Sequence, residues 1–244
     1  MDKLLGLTII WGKKGAGKTL AALNSPYQPV HMIDVEGSSL EYEKFMDRLI
    51  KEKYFPAPFT RAHCTQLEDA NKETARIFAD PKIHYGTICL DTVGQFAEWI
   101  KNREFGKPGS EKISQIVWGR VRDYIRALCI NMQSHCDLLL MTAHEREYPT
   151  HFYSPRCNPA IIELAGTSIR LVRQPNQKIP DAIIDGARLP FFPPRIPAFT
   201  LTKLLSYIDK PTNWDNLSED EKAPPPPQEE TVLVPPEVLD DSGT

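Results

Sequence analysis

Several features that define other protein classes are missing from this sequence of 244 residues. No apolar stretch approaches the ~18 residues that a membrane helix needs, so no membrane span is expected. The five cysteines (64, 89, 129, 136 and 157) are odd in number and form no Cys-x-x-Cys pair. That pattern argues against a disulfide framework and for a reduced, cytoplasmic protein. His63-Cys64 and His135-Cys136 are isolated pairs without zinc-ligand spacing. Cys89 sits inside an apolar run and reads as core. Met1-Asp2-Lys3-Leu4-Leu5-Gly6 has no basic stretch leading into a long apolar one, so no secretory leader is expected. Glycine is scarce, at 13 residues, yet three of them fall within positions 12–17.

The near-balanced net charge of −3 hides a division. Residues 215–244 carry nine acids and one base, a net of −8, while the remainder is +5. Pro224 to Pro227 are consecutive, and Pro235-Pro236 follow. Such a segment has few backbone donors and little to bury, so 213–244 is expected to be a disordered acidic tail behind a domain spanning 1–212. The tail either solubilises the chain or docks a replication or recombination protein. The mildly basic body hints at a polyanion partner.

Within the body, apolar runs alternate with helical spacing. Leu4–Trp11, Val30–Val35, Thr87–Leu90, Asp137–Ala143, Ser168–Arg173 and Ala182–Ile184 read as strands. Gln66–Ala79, Val93–Arg103 and Ile113–Ser134 read as helices. Continuous apolar strands between helices predict an α/β fold, a mostly parallel sheet with helices on both faces.

Gly12-Lys13-Lys14-Gly15-Ala16-Gly17-Lys18-Thr19 fits G-x-x-x-x-G-K-[ST], between a strand and the helix that begins near Leu20. Glycines let successive N–H groups turn inward onto phosphate oxygens. Lys18 is expected to reach the β and γ phosphates of ATP, and the Thr19 hydroxyl to ligate Mg²⁺. Asp91, ending an apolar strand, suits the second metal-organising carboxylate. The next residue is Thr92, where many ATPases carry a glutamate, so a base for water must come from elsewhere. The second strand ends in Asp34-Val35-Glu36-Gly37, and alternation puts Asp34 and Glu36 on one side. Glu36 is the preferred base and Asp34 the second choice. The fourth strand ends in Thr142-Ala143-His144-Glu145, where His144 suits a γ-phosphate sensor.

Taken in order, these elements resemble a RecA-type P-loop ATPase. More closely, the chain is similar to phage-associated AAA/RecA-type nucleotide-binding proteins, among them single-strand-annealing recombinases. The resemblance covers roughly residues 4 to 192 and rests on the Asp-x-Glu-Gly strand, the Asp91-Thr92 pair and the Thr-Ala-His strand. It implies that Glu36 is the catalytic glutamate, that the chain forms a homo-oligomer, and that a loop after the sensor strand holds single-stranded DNA. The matching segment, Glu145–Pro159, mixes Arg146, Tyr148, His151, Phe152, Tyr153 and Arg156, a composition suited to phosphate pairing and base stacking. A second polar loop, Asn102–Ser114, holds Arg103, Lys107 and Lys112. The resemblance also implies a cation supplied to a neighbouring subunit, from among Arg173, Lys178 and Arg188, with Arg188 preferred.

The expected function is therefore ATP binding with Mg²⁺, and ATP hydrolysis, by a RecA-like protein acting on single-stranded DNA in phage-type recombination or replication. Two alternatives stay open: an ATP-dependent assembly or loader protein with a protein partner, and a small-molecule phosphotransferase.

Overall fold

The computed structural model describes residues 6–53, 55–105, 115–148, 153–157, 159–188, 192–209 and 218. The chain runs β1 (Leu7–Gly12), α1 (Lys18–Leu23), β2 (Val30–Asp34), α2 (Leu40–Lys44), α3 (Met46–Lys51), β3 (Thr60–His63), α4 (Leu67–Ala79) and β4 (Tyr85–Asp91). It continues with α5 (Val93–Phe105), α6 (Gln115–Ser134), β5 (Cys136–Glu147), β6 (Tyr153–Pro155), α7 (Pro159–Leu164), β7 (Thr167–Val172), β8 (Asp181–Ala187), β9 (Arg195–Ile196) and α8 (Leu201–Asp209).

The strands lie in the order β3-β2-β4-β5-β1-β7-β8-β9, with β6 paired to β5. Pairing is parallel from β3 through β7, and β8 and β9 are antiparallel. Strand alternation sorts neighbouring residues into two cores. From β1, Ile9 and Trp11 face α4 to α7, joining Ile77, Phe96, Ile100, Ile125 and Ile161. Ile10 faces the other way, among Ala22 and Leu23 of α1 and Leu201 and Leu204 of α8. Burying each such large side chain contributes about 1.5–3 kcal/mol. The sheet therefore carries helices on both faces, as its continuous apolar strands require. Among the described residues no helix is long and apolar enough to cross a membrane.

The structure departs from the sequence reading at β5. That strand does not stop at Ala143 but runs on to Glu147, because β6 pairs with its far end (Glu145 with Pro155, Glu147 with Tyr153). Part of the expected loop is thus a hairpin rising from the sheet edge. The short elements α2, α3, β3, α7, β9 and α8 were not read from the sequence, although α8 carries Leu201, Leu204 and Leu205 at helical spacing. Residues 1–5, the start of the expected helix at Ile113, Lys107, Lys112, His151 and Phe152 lie outside the described residues. So do the 212/213 boundary and the tail, Ser218 excepted.

A buried polar cluster ties β2 to α4. His31 stacks on the Tyr85 ring at 4.7 Å, and its Nδ1 lies 2.7 Å from the Thr60 hydroxyl. Its Nε2 is 2.9 Å from a Glu73 carboxylate oxygen, itself paired with Arg76. Burial holds the His31 pKa below its ordinary value, although the Glu73 carboxylate pulls the other way. A lowered pKa in the folded state means that the unfolded chain takes up the proton first. Stability is therefore expected to fall as pH drops below about 6.5, until the lower folded value is passed. Denaturant midpoints taken at about pH 7.5 and about pH 5.5 should differ less for His31→Gln than for the wild type. An equal difference would remove His31 from the account.

Candidate nucleotide site at the carboxyl edge of the sheet

β1 delivers Gly12 between β5 and β7, in register with His144 and Leu171. A Cβ at Gly12 would lie 2.6 Å from the Leu171 carbonyl oxygen, so only glycine fits. Gly15 (φ 79°) and Gly17 (φ 94°) occupy the left-handed region that side chains disfavour. The Ala16 amide closes the turn on the Lys13 carbonyl at 3.1 Å. Lys13, Lys14 and Gly15 are exposed, Thr19 and Leu20 half-buried, and Lys18 buried. The Lys18 ammonium donates to the carbonyls of Gly12 (3.1 Å) and Lys13 (3.0 Å). Burial lowers its pKa, while the carboxylates of Asp91, Glu36 and Glu145 pull it back up.

Asp91, at the end of β4, faces the loop. Its Oδ2 accepts from the hydroxyls of Thr19 (2.8 Å) and Ser38 (2.5 Å), and its Oδ1 from Thr142. Thr19 Oγ1 and Ser38 Oγ are 3.2 Å apart. The donor set is entirely oxygen: two hydroxyls and a carboxylate. It suits a hard cation such as Mg²⁺ and is poor for a soft one. The residues present therefore fit a magnesium–nucleotide pair.

The two carboxylates of the second strand behave differently. β2 ends at Asp34, so the alternation expected to align Asp34 with Glu36 stops there. Asp34 is fully buried. Its Oδ1 accepts from the amides of Glu36 (3.2 Å), Gly37 (2.7 Å) and Ser38 (3.1 Å). Its Oδ2 accepts from the amide (2.9 Å) and hydroxyl (2.5 Å) of Ser39. With five bonds taken, Asp34 is the knot of the 36–39 turn and has no capacity left for a water. Glu36 instead points into the site. Thr92 Oγ1 donates to its Oε1 at 2.8 Å, and His144 Nε2 lies 3.0 and 3.1 Å from its two oxygens. Its side chain is 32% exposed and that of His144 34%, so the pair faces solvent at the mouth of the loop.

The cations separate by edge. β8 runs antiparallel to β7, so Arg188 follows it at the edge away from the loop. There its Nη2 donates to the carbonyls of Glu163 (3.1 Å) and Leu164 (3.3 Å), which end α7. Arg173, just after β7, is at the loop edge and donates to the Gly15 carbonyl at 3.3 Å. Lys178 is exposed in the turn between β7 and β8. Pro180 of that turn lies 3.5 Å from where a Cβ on Gly17 would sit.

One further cluster links the loop to the hairpin. Glu145 and Arg170 pair at 2.9 Å, and both are largely buried. The Arg170 guanidinium lies 4.2 Å from the Tyr153 ring centroid and 5.5 Å from that of Trp11, the residue before Gly12. Tyr153 thus has Arg170 over one face of its ring. Ser38 and Arg170 were missed by sequence reasoning, and Arg173 was named only as one of three candidate cations for a neighbouring subunit. Only the position of Ser38 one residue after Glu36-Gly37 offered a hint.

The sequence pattern of the family described as an AAA domain matches residues 7–152. Among curated proteins none matches. The fold is similar to the crystal structure of the RadB recombinase, with a TM-score of 0.50 and 14% identity, over 76% of this chain and 83% of that one. The matched residues contain the glycine loop, Glu36, Asp91 and His144, and the strand order places all four at one edge of the sheet. The chain therefore belongs to the AAA-domain family and has a RecA-like P-loop nucleotide-binding fold.

Proposed function

We propose that this chain binds Mg·ATP and hydrolyses it, acting on single-stranded DNA in recombination or replication of the phage type. The observation that carries the reading is the meeting of Lys18, Thr19, Asp91 and Glu36 at one sheet edge, from three separate segments. The amides of Gly15, Gly17, Lys18, Thr19 and Leu20 bind the phosphates, in a loop shaped by Gly12, Lys13, Lys14 and the Ala16 turn. Lys18 leaves the two loop carbonyls for the outer phosphates. Thr19 and Asp91 would hold a metal ion, which would neutralise phosphate charge there. Glu36 orients the attacking water and holds its proton at a carboxylate oxygen. For that, His144 must release Glu36. A terminal phosphate beside His144 gives its Nε2–H a new acceptor, which makes His144 a sensor. Arg188 is a candidate cation for a neighbouring copy in a homo-oligomer, and Arg173 is the candidate within the same chain.

For DNA, support comes from Arg146, Tyr148 and Arg156, exposed on or beside the hairpin that rises from this edge. The Arg146 guanidinium lies 5.9 Å from the Tyr148 ring centroid. The fold neighbour is a recombinase by name, which points the same way.

ATP turnover measured with and without a short single-stranded oligonucleotide tests the reading. Turnover is expected, and DNA is expected to raise it. Lys18→Ala should weaken ATP binding by about 10-fold or more, the scale of a lost charge-assisted hydrogen bond. Turnover indifferent to DNA, with no DNA binding, would favour a loader with a protein partner. Unchanged ATP affinity in a folded Lys18→Ala variant would reject the site.

A further inference from the structure

We propose that Ser38 is a third metal ligand at this site, alongside Thr19 and Asp91; the inference rests on the Mg·nucleotide reading above. Three oxygens, Thr19 Oγ1, Ser38 Oγ and Asp91 Oδ2, form a closed triangle with sides of 2.5, 2.8 and 3.2 Å. Magnesium binds oxygen at about 2.0–2.1 Å in an octahedron, so adjacent ligand oxygens stand about 2.9 Å apart. The triangle is thus the size of one octahedral face. Its three corners come from three segments separate in the chain: the glycine loop, the β2 turn and β4.

The backbone around Ser38 is built to hold that position. Asp34 takes the amides of residues 36 to 39, and Gly37 turns through φ 75°. The same turn therefore aims Glu36 at the water side and Ser38 at the metal side. Without a cation, the two hydroxyl protons point at Asp91 and hold the oxygens at the spacing the cation requires. When it arrives, both hydroxyls rotate their lone pairs toward it and keep their protons. Preformed ligand spacing lowers the cost of dehydrating Mg²⁺, which gives up its waters reluctantly.

Mn²⁺ binding to the full-length chain saturated with ADP, followed by electron paramagnetic resonance, tests the assignment. In parallel, binding of a fluorescent ADP analogue is measured in excess chelator. Ser38→Ala is expected to weaken Mn²⁺ by about 10-fold or more, the scale seen when a residue that orients or binds a metal is removed. Its affinity for the analogue in chelator should stay near the wild-type value, because Ser38 meets Thr19 at its hydroxyl (3.2 Å) and not at the amide that faces the phosphates. Ser38→Thr, which keeps the hydroxyl, should retain Mn²⁺. Unchanged Mn²⁺ affinity in Ser38→Ala, with Thr19→Ala weakened, would overturn the role of Ser38 alone. An equal loss in chelator and in Mn²⁺ would reduce Ser38 to a structural part of the turn. Wild-type protein that binds no Mn²⁺ with ADP would overturn both this assignment and the Mg·nucleotide reading.

Discussion

Glu36→Gln is expected to lower ATP turnover by about 10²-fold or more, the scale of a lost general base, while ATP affinity and the thermal midpoint stay near wild type. The amide is nearly isosteric and can still accept from Thr92, whose hydroxyl now lies 2.8 Å from Oε1. The side chain is at an open edge, so little packing depends on its charge. What disappears is an anionic oxygen able to take a proton from water. Asp34 is a poor understudy. Every change there first unties the 36–39 turn, so loss of activity at Asp34 should come with loss of stability. Steady-state phosphate release and a thermal melt on Glu36→Gln separate the two cases. Near-wild-type turnover would move the base away from Glu36.

Arg170→Leu should destabilise the fold by about 3–5 kcal/mol, the range for breaking a buried pair on one side only. Glu145 and Arg170 have side chains only 5% and 13% exposed, and Glu145 Oε1 is buried with no hydrogen-bond partner. Removing the guanidinium leaves a largely buried carboxylate without its ion-pair partner. It also uncovers the Tyr153 ring and loosens the pairing of β6 with β5. Replacing both members, Arg170→Leu with Glu145→Leu, should recover most of the loss, because two apolar groups need no compensation. Urea denaturation of the two single variants and the double variant gives the coupling directly. A single-variant loss below about 1 kcal/mol would mean that water reaches the pair, as at an exposed ion pair.

Much of this architecture was legible because its signals are local. The strands β1, β2, β4 and β5 announced themselves as apolar runs, and α4 as a helical stripe carrying Leu67, Ala70 and Ile77. The glycine loop could be read because its geometry needs glycine at fixed offsets, and Gly12 meets Leu171 so closely that no other residue fits. The remaining features depend on contacts that one sequence does not display. The extension of β5 exists only because β6 pairs with it. Asp34 and Glu36 look alike in sequence, and only the folded turn shows that one is saturated while the other is open. Arg173 and Arg188 are both strand-end cations. The antiparallel run of β8 sends them to opposite edges, a fact of topology rather than of composition. Ser38 was invisible for the same reason: a serine in a turn has many uses, and its neighbours Thr19 and Asp91 are distant in the chain.

The most direct measurement of the central claim is phosphate release from ATP by the full-length chain with Mg²⁺, repeated after chelation and with Lys18→Ala. The site predicts steady release matched by ADP formation, abolished by chelation and by the substitution. A folded chain that binds ATP but releases no phosphate above background, or one whose release survives Lys18→Ala, would contradict it.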